Sequence, residues 1–161
     1  MAKTLTYGMV GGGPDAFIGD AHRRAIGLDG TAAIAAGVFS RNREKSLQMA
    51  ESLGISPDRC YEDYQTMARA EGEREDGVDF VTVVTPNQSH YEICRAFLEA
   101  GIHVVCDKPV TTTYRQAKEL EALAEDKGLL FMVTYTYMGY VTAKYARELV
   151  ASGAIGEVRT V

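Results

Sequence analysis

The chain has 161 residues, of which 46% are hydrophobic and 24% charged, and its formal net charge is −5. This length and composition fit one globular domain with a core large enough to fold. Because the balance is mildly acidic and the sequence has no basic run, we expect neither nucleic acid nor an anionic membrane surface as a partner. No apolar run in the sequence approaches the length of a membrane span.

The three cysteines, Cys60, Cys94 and Cys106, are odd in number and widely spaced. They indicate neither a disulfide framework nor a zinc site, and no His, Cys or Asp cluster has the spacing of metal ligands. The N-terminal segment enters a strand pattern directly and lacks the long apolar core of a signal peptide. We therefore expect reduced thiols, no metal and a cytoplasmic location.

Short apolar runs alternate along the chain with stretches whose apolar residues lie three or four apart. The first pattern is typical of strands covered on both faces, and the second of helices. Their alternation predicts an α/β fold with a doubly wound parallel sheet. The predicted strands are Leu5–Val10, Ala33–Phe39, Asp79–Thr85, His103–Cys106 and Leu129–Thr134. The predicted helices include Arg43–Leu53, Ser89–Ala100, Tyr114–Lys127 and Tyr140–Ser152, three of them followed by a capping glycine at Gly54, Gly101 and Gly128.

The first predicted strand runs directly into a glycine-rich segment. In one interpretation Gly11-x-Gly13-x-x-Ala16 is a dinucleotide fingerprint, and in another the loop is two residues longer and Gly19 is its third glycine. Glycines at these positions permit a tight turn and let backbone N–H groups approach a pyrophosphate at the start of the next helix. A plain glycine-rich turn is the alternative.

The second predicted strand ends at Phe39-Ser40-Arg41, where a dinucleotide-binding protein reads the adenosine ribose. No acidic residue stands there to bind both ribose hydroxyls, and Asp29 precedes the strand, which is the wrong end. Arg41 could accommodate a 2′-phosphate, so the sequence favours NADP over NAD. An ordinary surface arginine is the alternative.

The third predicted strand ends in a polar turn, Thr85-Pro86-Asn87, followed by Ser89 and His90. Pro86 stiffens the exit from the sheet, and Asn87 or Ser89 can cap the next helix. A turn with a cap accounts for every one of these residues except His90. His90 is interpreted either as a cofactor contact or as a residue on the helix surface.

The fourth predicted strand leads into Asp107-Lys108-Pro109. Ligands bind beyond the carboxyl ends of strands in an open parallel sheet, so Lys108 is placed to meet a cofactor or substrate. An ammonium near an alcohol oxygen would stabilise the alkoxide charge that develops during hydride transfer. A lysine in a solvated loop is the alternative.

Other residues have structural interpretations. The charged run Glu71–Gly77 is expected to be a solvated loop. His22 is at least as well explained by packing or capping as by cofactor contact, and His103 opens a buried strand as a structural histidine. Core or interdomain packing is favoured over a place on the substrate side for Tyr135, Tyr137 and Tyr140.

The C-terminal segment breaks the last helix and then changes pattern. Gly153 and Gly156 end the helix, and Glu157–Val161 starts like a further strand. Because a domain rarely ends as a strand begins, we expect the chain to be the front part of a longer protein.

Three groups of residues form a combination that is more specific than any one of them. They are Gly11-x-Gly13 with Gly19-x-x-His22, Thr85-Pro86-Asn87-x-x-His90, and Gly101-x-His103-Val104-x-Cys106-Asp107-Lys108-Pro109. With the segment Gly153–Val158, these motifs resemble the oxidoreductases grouped with glucose–fructose oxidoreductase and inositol dehydrogenase. The resemblance spans nearly the whole chain.

The resemblance implies a two-domain NAD(P)-dependent dehydrogenase that acts on a sugar, cyclitol or related polyol. Residues 1–152 would form its Rossmann domain, and residues 153–161 would start the connection to a substrate domain absent from this chain. Lys108 would be catalytic, binding the reacting hydroxyl beside the nicotinamide. The cofactor-binding residues implied are Gly11, Gly13, Phe17, Ile18, Gly19, Ser40, Arg41, Thr85, Pro86, Asn87, His90, Asp107 and Lys108.

The sequence departs from the family pattern in two places. Asp107 stands where a glutamate is usual, and the glycine loop is longer than the common form, which bears on the pyrophosphate contacts of Phe17 and Ile18. The family's general base comes from the second domain, and no residue here matches it.

Two functions follow as hypotheses. The first is the cofactor-binding portion of a sugar or cyclitol dehydrogenase, expected to be a homo-oligomer and inactive as this fragment alone. The alternative is a self-contained dinucleotide-binding module with a regulatory or redox-sensing role and no turnover.

Overall fold

The five apolar runs form one parallel sheet in a computed structural model that describes residues 3–160. The strands are β1 (Leu5–Gly11), β2 (Ala32–Val38), β3 (Phe80–Val84), β4 (His103–Asp107) and β5 (Phe131–Thr134). Their order across the sheet is β2-β1-β3-β4-β5, and each neighbouring pair is parallel. The predicted parallel sheet is confirmed.

Helices connect the strands. They are α1 (Phe17–Gly27), α2 (Arg43–Ser52), α3 (Tyr64–Glu73), α4 (His90–Glu99), α5 (Tyr114–Asp126) and α6 (Val141–Ala151), with short 3₁₀ turns at Pro57–Arg59, Asn87–Ser89 and Thr136–Gly139. The four helices predicted with bounds are confirmed to within one residue at each end. The glycines predicted after three of them, Gly54, Gly101 and Gly128, have φ values of 69°, 81° and 64°.

The hydrophobic core has two parts, one on each face of the sheet. Met9 of β1 belongs to the part covered by α1 and α2, whereas its neighbour Val10 belongs to the part covered by α3, α4 and α5. Successive strand residues point to opposite faces, so β1 contributes to both parts. The sheet is therefore doubly wound, and its strand ends are open for binding.

Glu71 corrects the expectation of a solvated charged loop. It lies within α3 and is only 2% exposed. Its carboxylate pairs with the guanidinium of Arg59, where Nε lies 3.0 Å from Oε1. It also accepts hydrogen bonds from the Tyr61 hydroxyl at 2.7 Å and the Val78 amide at 3.1 Å. Burial and the Glu71 carboxylate raise the pKa of Tyr61 to about 12.

The C-terminal part of the described chain is exposed. α6 contains no buried residue, and Tyr135, Tyr137 and Tyr140 are more than half exposed, so a core position for them is wrong. The segment 157–160 is not a strand, and the rest of that prediction, Val161, lies outside the described residues. Within residues 3–160, no helix is both long and apolar enough to cross a membrane.

Candidate functional site

The glycine segment forms the turn between β1 and α1. Gly11 and Gly12 have φ values of 93° and 71°, which side chains other than glycine rarely adopt. A Cβ atom on Gly19 would lie 2.3 Å from the Cα atom of Gly12. Gly19 thus permits α1 to pack against the loop, which supports the longer interpretation, whereas Ala16 is only the residue before the helix.

Arg23 of α1 stabilises the glycine loop, a role that the sequence motifs did not predict. Its Nη1 donates a hydrogen bond of 2.8 Å to the carbonyl oxygen of Gly12, and its side chain is 13% exposed. Gly19 and Arg23 are four residues apart on α1 and so lie on one face of it. This spacing of four residues is the sequence signal from which the contact could have been predicted.

We expect Gly19→Ala to destabilise the protein by about 1–3 kcal/mol, because the added methyl group overlaps the backbone of Gly12. The matched control is Gly27→Ala on the same helix, where a Cβ atom meets nothing within 4 Å. It should be neutral or stabilise slightly, by up to about 1 kcal/mol. Urea unfolding of both variants measures the difference, and equal stabilities would show that α1 can move away from the loop.

A cleft of about 500 Å³ opens beside the glycine loop at the carboxyl ends of β1, β2 and β3. Because parallel strands present their carboxyl ends at one edge, three predicted segments meet there. Six predicted site residues line this cleft: Gly11, Gly13, Ser40, Arg41, Thr85 and Pro86. The others lie beside it, at the start of α1 or beyond β3 and β4.

The end of the cleft next to β2 carries two cations. Arg41 is exposed there, and the ammonium of Lys45 lies 3.1 Å from a carboxylate oxygen of Asp15 in the glycine loop. Lys45 was missed by the sequence reasoning, although it lies in the first turn of α2. Asp29 lies before β2, at the other end of that strand, as predicted.

The Lys108 turn follows β4 at the same edge of the sheet. Val83 of β3 pairs with Cys106 of β4, so this turn lies next to the one that follows β3. Lys108 is exposed, and within residues 3–160 its ammonium makes no hydrogen bond or ion pair. Its charge is available for a ligand.

The carboxylate of Asp107, at the end of β4, contacts residues of β5 and α1. Its Oδ1 accepts a hydrogen bond of 2.9 Å from the Thr134 hydroxyl and lies 3.8 Å from Nε2 of His22. His22 is 8% exposed, and its Nδ1 lies 2.9 Å from the Thr82 hydroxyl. Burial lowers the pKa of His22, against the opposing effect of Asp107. The burial of His22 favours packing among the roles considered for it.

His90 corrects the interpretation of the turn after β3. Its side chain is 0% exposed, so a place on the helix surface is wrong, and both ring nitrogens lie near backbone carbonyl oxygens rather than the cleft. Ser89 does not cap α4 with its side chain, because its hydroxyl lies 2.8 Å from that of Thr85. Asn87 begins a short 3₁₀ turn and is exposed.

His103 has the structural role that the sequence predicted. Its Nδ1 accepts a hydrogen bond of 3.0 Å from the amide of Leu130, which connects β4 to the segment before β5. In the part of the chain that the structure describes, no group of three or more His, Cys, Asp or Glu side chains is placed to hold a metal ion.

The sequence matches one family over residues 5–135, described as an oxidoreductase family with an NAD-binding Rossmann fold, GFO_IDH_MocA. It is 41% identical over 162 residues to the oxidoreductase YfiI of Bacillus subtilis, covering 100% of this chain and 41% of YfiI. The chain therefore spans about two fifths of that relative.

Solved structures show the same architecture. An inositol dehydrogenase homologue from Azotobacter vinelandii, complexed with NADH and myo-inositol, superposes with a TM-score of 0.94 at 40% identity, covering 99% of this chain and 42% of that one. A 3-ketoreductase from Actinomadura kijaniata, in complex with TDP-benzene and NADP, has a TM-score of 0.78 at 29% identity, with 98% and 46% covered.

Proposed function

The chain belongs to the Gfo/Idh/MocA family of oxidoreductases, and from this premise we propose that it is the NAD(P)-binding portion of a dehydrogenase. The reaction would transfer a hydride between the nicotinamide cofactor and a hydroxyl carbon of a sugar, cyclitol or related polyol. The observation that carries the proposal is the meeting of the glycine loop, the Thr85 turn and the Lys108 turn at the carboxyl edge of one parallel sheet.

The glycine loop fits a dinucleotide. A Cβ atom on Gly13 would lie 2.7 Å from the carbonyl oxygen of Phe39, so the loop lies close to the end of β2. The first N–H groups of α1, at Phe17 and Ile18, have no intrahelical partners, and Ala16 makes no side-chain hydrogen bond to the helix. These N–H groups and the positive end of the helix dipole suit a pyrophosphate.

Lys108 is the proposed catalytic residue. The nicotinamide ring, when bound, supplies the hydride acceptor or donor. Lys108 would donate a hydrogen bond to the reacting hydroxyl oxygen and stabilise negative charge that develops on it. Asp107 would fix the backbone before Lys108 through its contacts with β5 and α1.

A parallel titration tests cofactor binding. We expect the chain to bind NAD or NADP saturably in calorimetry, at the cleft beside the glycine loop. Binding without oxidation of any sugar or cyclitol by this chain, together with turnover by a protein that also carries the substrate domain, supports the dehydrogenase. Binding with no turnover in either protein favours the alternative, a regulatory module, and no binding contradicts both.

Cofactor preference is the finer proposal, and we favour NADP because Arg41 and Lys45 face the adenosine end of the cleft. Arg41→Ala should weaken NADP binding about tenfold, since hydrogen bonds to charged groups contribute about 1.5–3 kcal/mol and this site is exposed. NAD binding should change less than about twofold. Calorimetry with both cofactors measures this, with Arg69→Ala on α3 as the control. Equal losses for NAD and NADP would contradict the preference.

The remaining proposals concern the whole protein. We place the end of the dinucleotide domain at residue 152 and the start of a connection to a substrate domain at residue 153. Tyr137, Met138 and Tyr145 are exposed in this chain, which supports a face that the substrate domain covers. We also propose that the protein is a homo-oligomer and that it is located in the cytoplasm. The three free cysteines are consistent with a reducing compartment.

A further inference from the structure

His90 occupies an unusual position for a histidine. It begins α4, is 0% exposed, and lies between the turns that follow β3 and β4. Its Nδ1 is 2.8 Å from the carbonyl oxygen of Pro109, and its Nε2 is 2.8 Å from the carbonyl oxygen of Thr85. A carbonyl oxygen can only accept a hydrogen bond, whereas a neutral imidazole has one N–H group. Both contacts are hydrogen bonds only if both ring nitrogens carry protons.

We propose that His90 is an imidazolium in the folded protein and that it is a positioning residue for Lys108. The part concerning Lys108 rests on the proposed function. The ring connects the carbonyl of Pro109, directly after Lys108, to the carbonyl of Thr85, directly before Pro86 in the cleft wall. This cation therefore fixes the distance between the lysine turn and the cofactor cleft.

A buried cation needs a compensating group, and Cys106 lies beside the ring. Burial by itself would lower the pKa of His90, but the neighbouring Cys106 and the two carbonyls raise it to about 9. In turn, a hydrogen bond from Cys94 and the contact with His90 lower the pKa of Cys106. Cys106 is thus the group that we assign to compensate the charge of the buried ring.

The other ionisable groups near this pair are few. Cys94 lies on α4, where Cys106 raises its pKa, so it remains a thiol and donates. Asp107 and Lys108 follow Cys106 at the end of β4, and the Asp107 carboxylate opposes the ionisation of Cys106. The Cys106 sulfur also lies 3.3 Å from the Asp107 carbonyl oxygen, the acceptor that a neutral thiol would use.

The protonation of the ring can be read directly by long-range ¹H–¹⁵N NMR of the chain without cofactor. Between about pH 6 and 8 we expect both nitrogens of His90 to carry protons, and the amide signals of Lys108 and Val110 to shift when the ring titrates. In Cys106→Ala the ring should lose its second proton at a lower pH. A ring nitrogen without a proton at neutral pH, or an unchanged titration in Cys106→Ala, would overturn the inference.

The positioning role is tested by His90→Gln in the dehydrogenase, with His103→Gln as the matched control. We expect kcat to fall about 10–100-fold in His90→Gln while the cofactor Kd changes less than about threefold. Parent activity should also decline as pH rises through about 9, and the variant should lack that decline. An equal fall in His103→Gln, or a variant that keeps the decline, would make the role structural. A neutral His90 ring leaves the proposed function intact, whereas absence of cofactor binding refutes that function without changing the ring.

Discussion

On the proposed function, replacing Lys108 by methionine in a protein that also carries the substrate domain should lower kcat/KM for alcohol oxidation by about 10³-fold, which corresponds to about 4 kcal/mol in the activation free energy. Methionine keeps the length of the side chain but removes the ammonium. No other lysine or arginine follows β3 or β4 within the next few residues at this edge. Because the charge acts on an alkoxide that forms only in the transition state, the loss should be in kcat more than in cofactor binding.

The control for this variant is Lys118→Met, which removes an exposed lysine of α5 that pairs with Glu121. It should be fully active. Lys108→Arg should restore little activity, since a guanidinium is larger and its donors are fixed in a plane. Steady-state kinetics of the three variants, with cofactor Kd measured in parallel, checks the expectation. A Lys108→Met enzyme within tenfold of the parent would remove Lys108 from the catalytic role.

The sheet and its helices were predictable because their signals are local. A strand buried on both faces has a continuous apolar run, and a helix on such a sheet has an apolar stripe; both are visible within about ten residues of sequence. The carboxyl-edge rule then placed the glycine loop, the end of β2 and the turns after β3 and β4 together without any knowledge of distances.

The polar contacts of the interior were not predictable, because their partners are distant in sequence. The sequence placed Glu71 in a charged loop, whereas α3 buries it against Arg59 and Tyr61. It interpreted His90 as a cofactor contact or a helix-surface residue, whereas the carbonyl of Pro109, nineteen residues later, lies against its ring. Within a polar segment, the local sequence does not distinguish a buried polar side chain from an exposed one. Only the tertiary structure decides whether it meets solvent or partners.

Glu71→Ala should be the most destabilising of the proposed substitutions, with a loss of about 3–5 kcal/mol in the free energy of unfolding. The loss is large because the removed carboxylate is the partner of three other groups. Arg59, whose side chain is 12% exposed, would lose its buried partner, and the Tyr61 hydroxyl and the Val78 amide would lose their acceptors. For a chain of this length the midpoint of thermal unfolding should fall on the order of 10 °C.

Glu73→Ala is the matched control, since Glu73 is exposed two residues later on α3 and should cost less than about 0.5 kcal/mol. Glu71→Gln separates charge from shape. The amide keeps an oxygen for Tyr61 or Val78 but has no charge for Arg59, so its loss should be smaller than that of alanine. Urea unfolding of all three checks this order. If Glu71→Ala cost no more than Glu73→Ala, water would be replacing the carboxylate, and the contacts of Glu71 would not be what fixes α3 to the sheet.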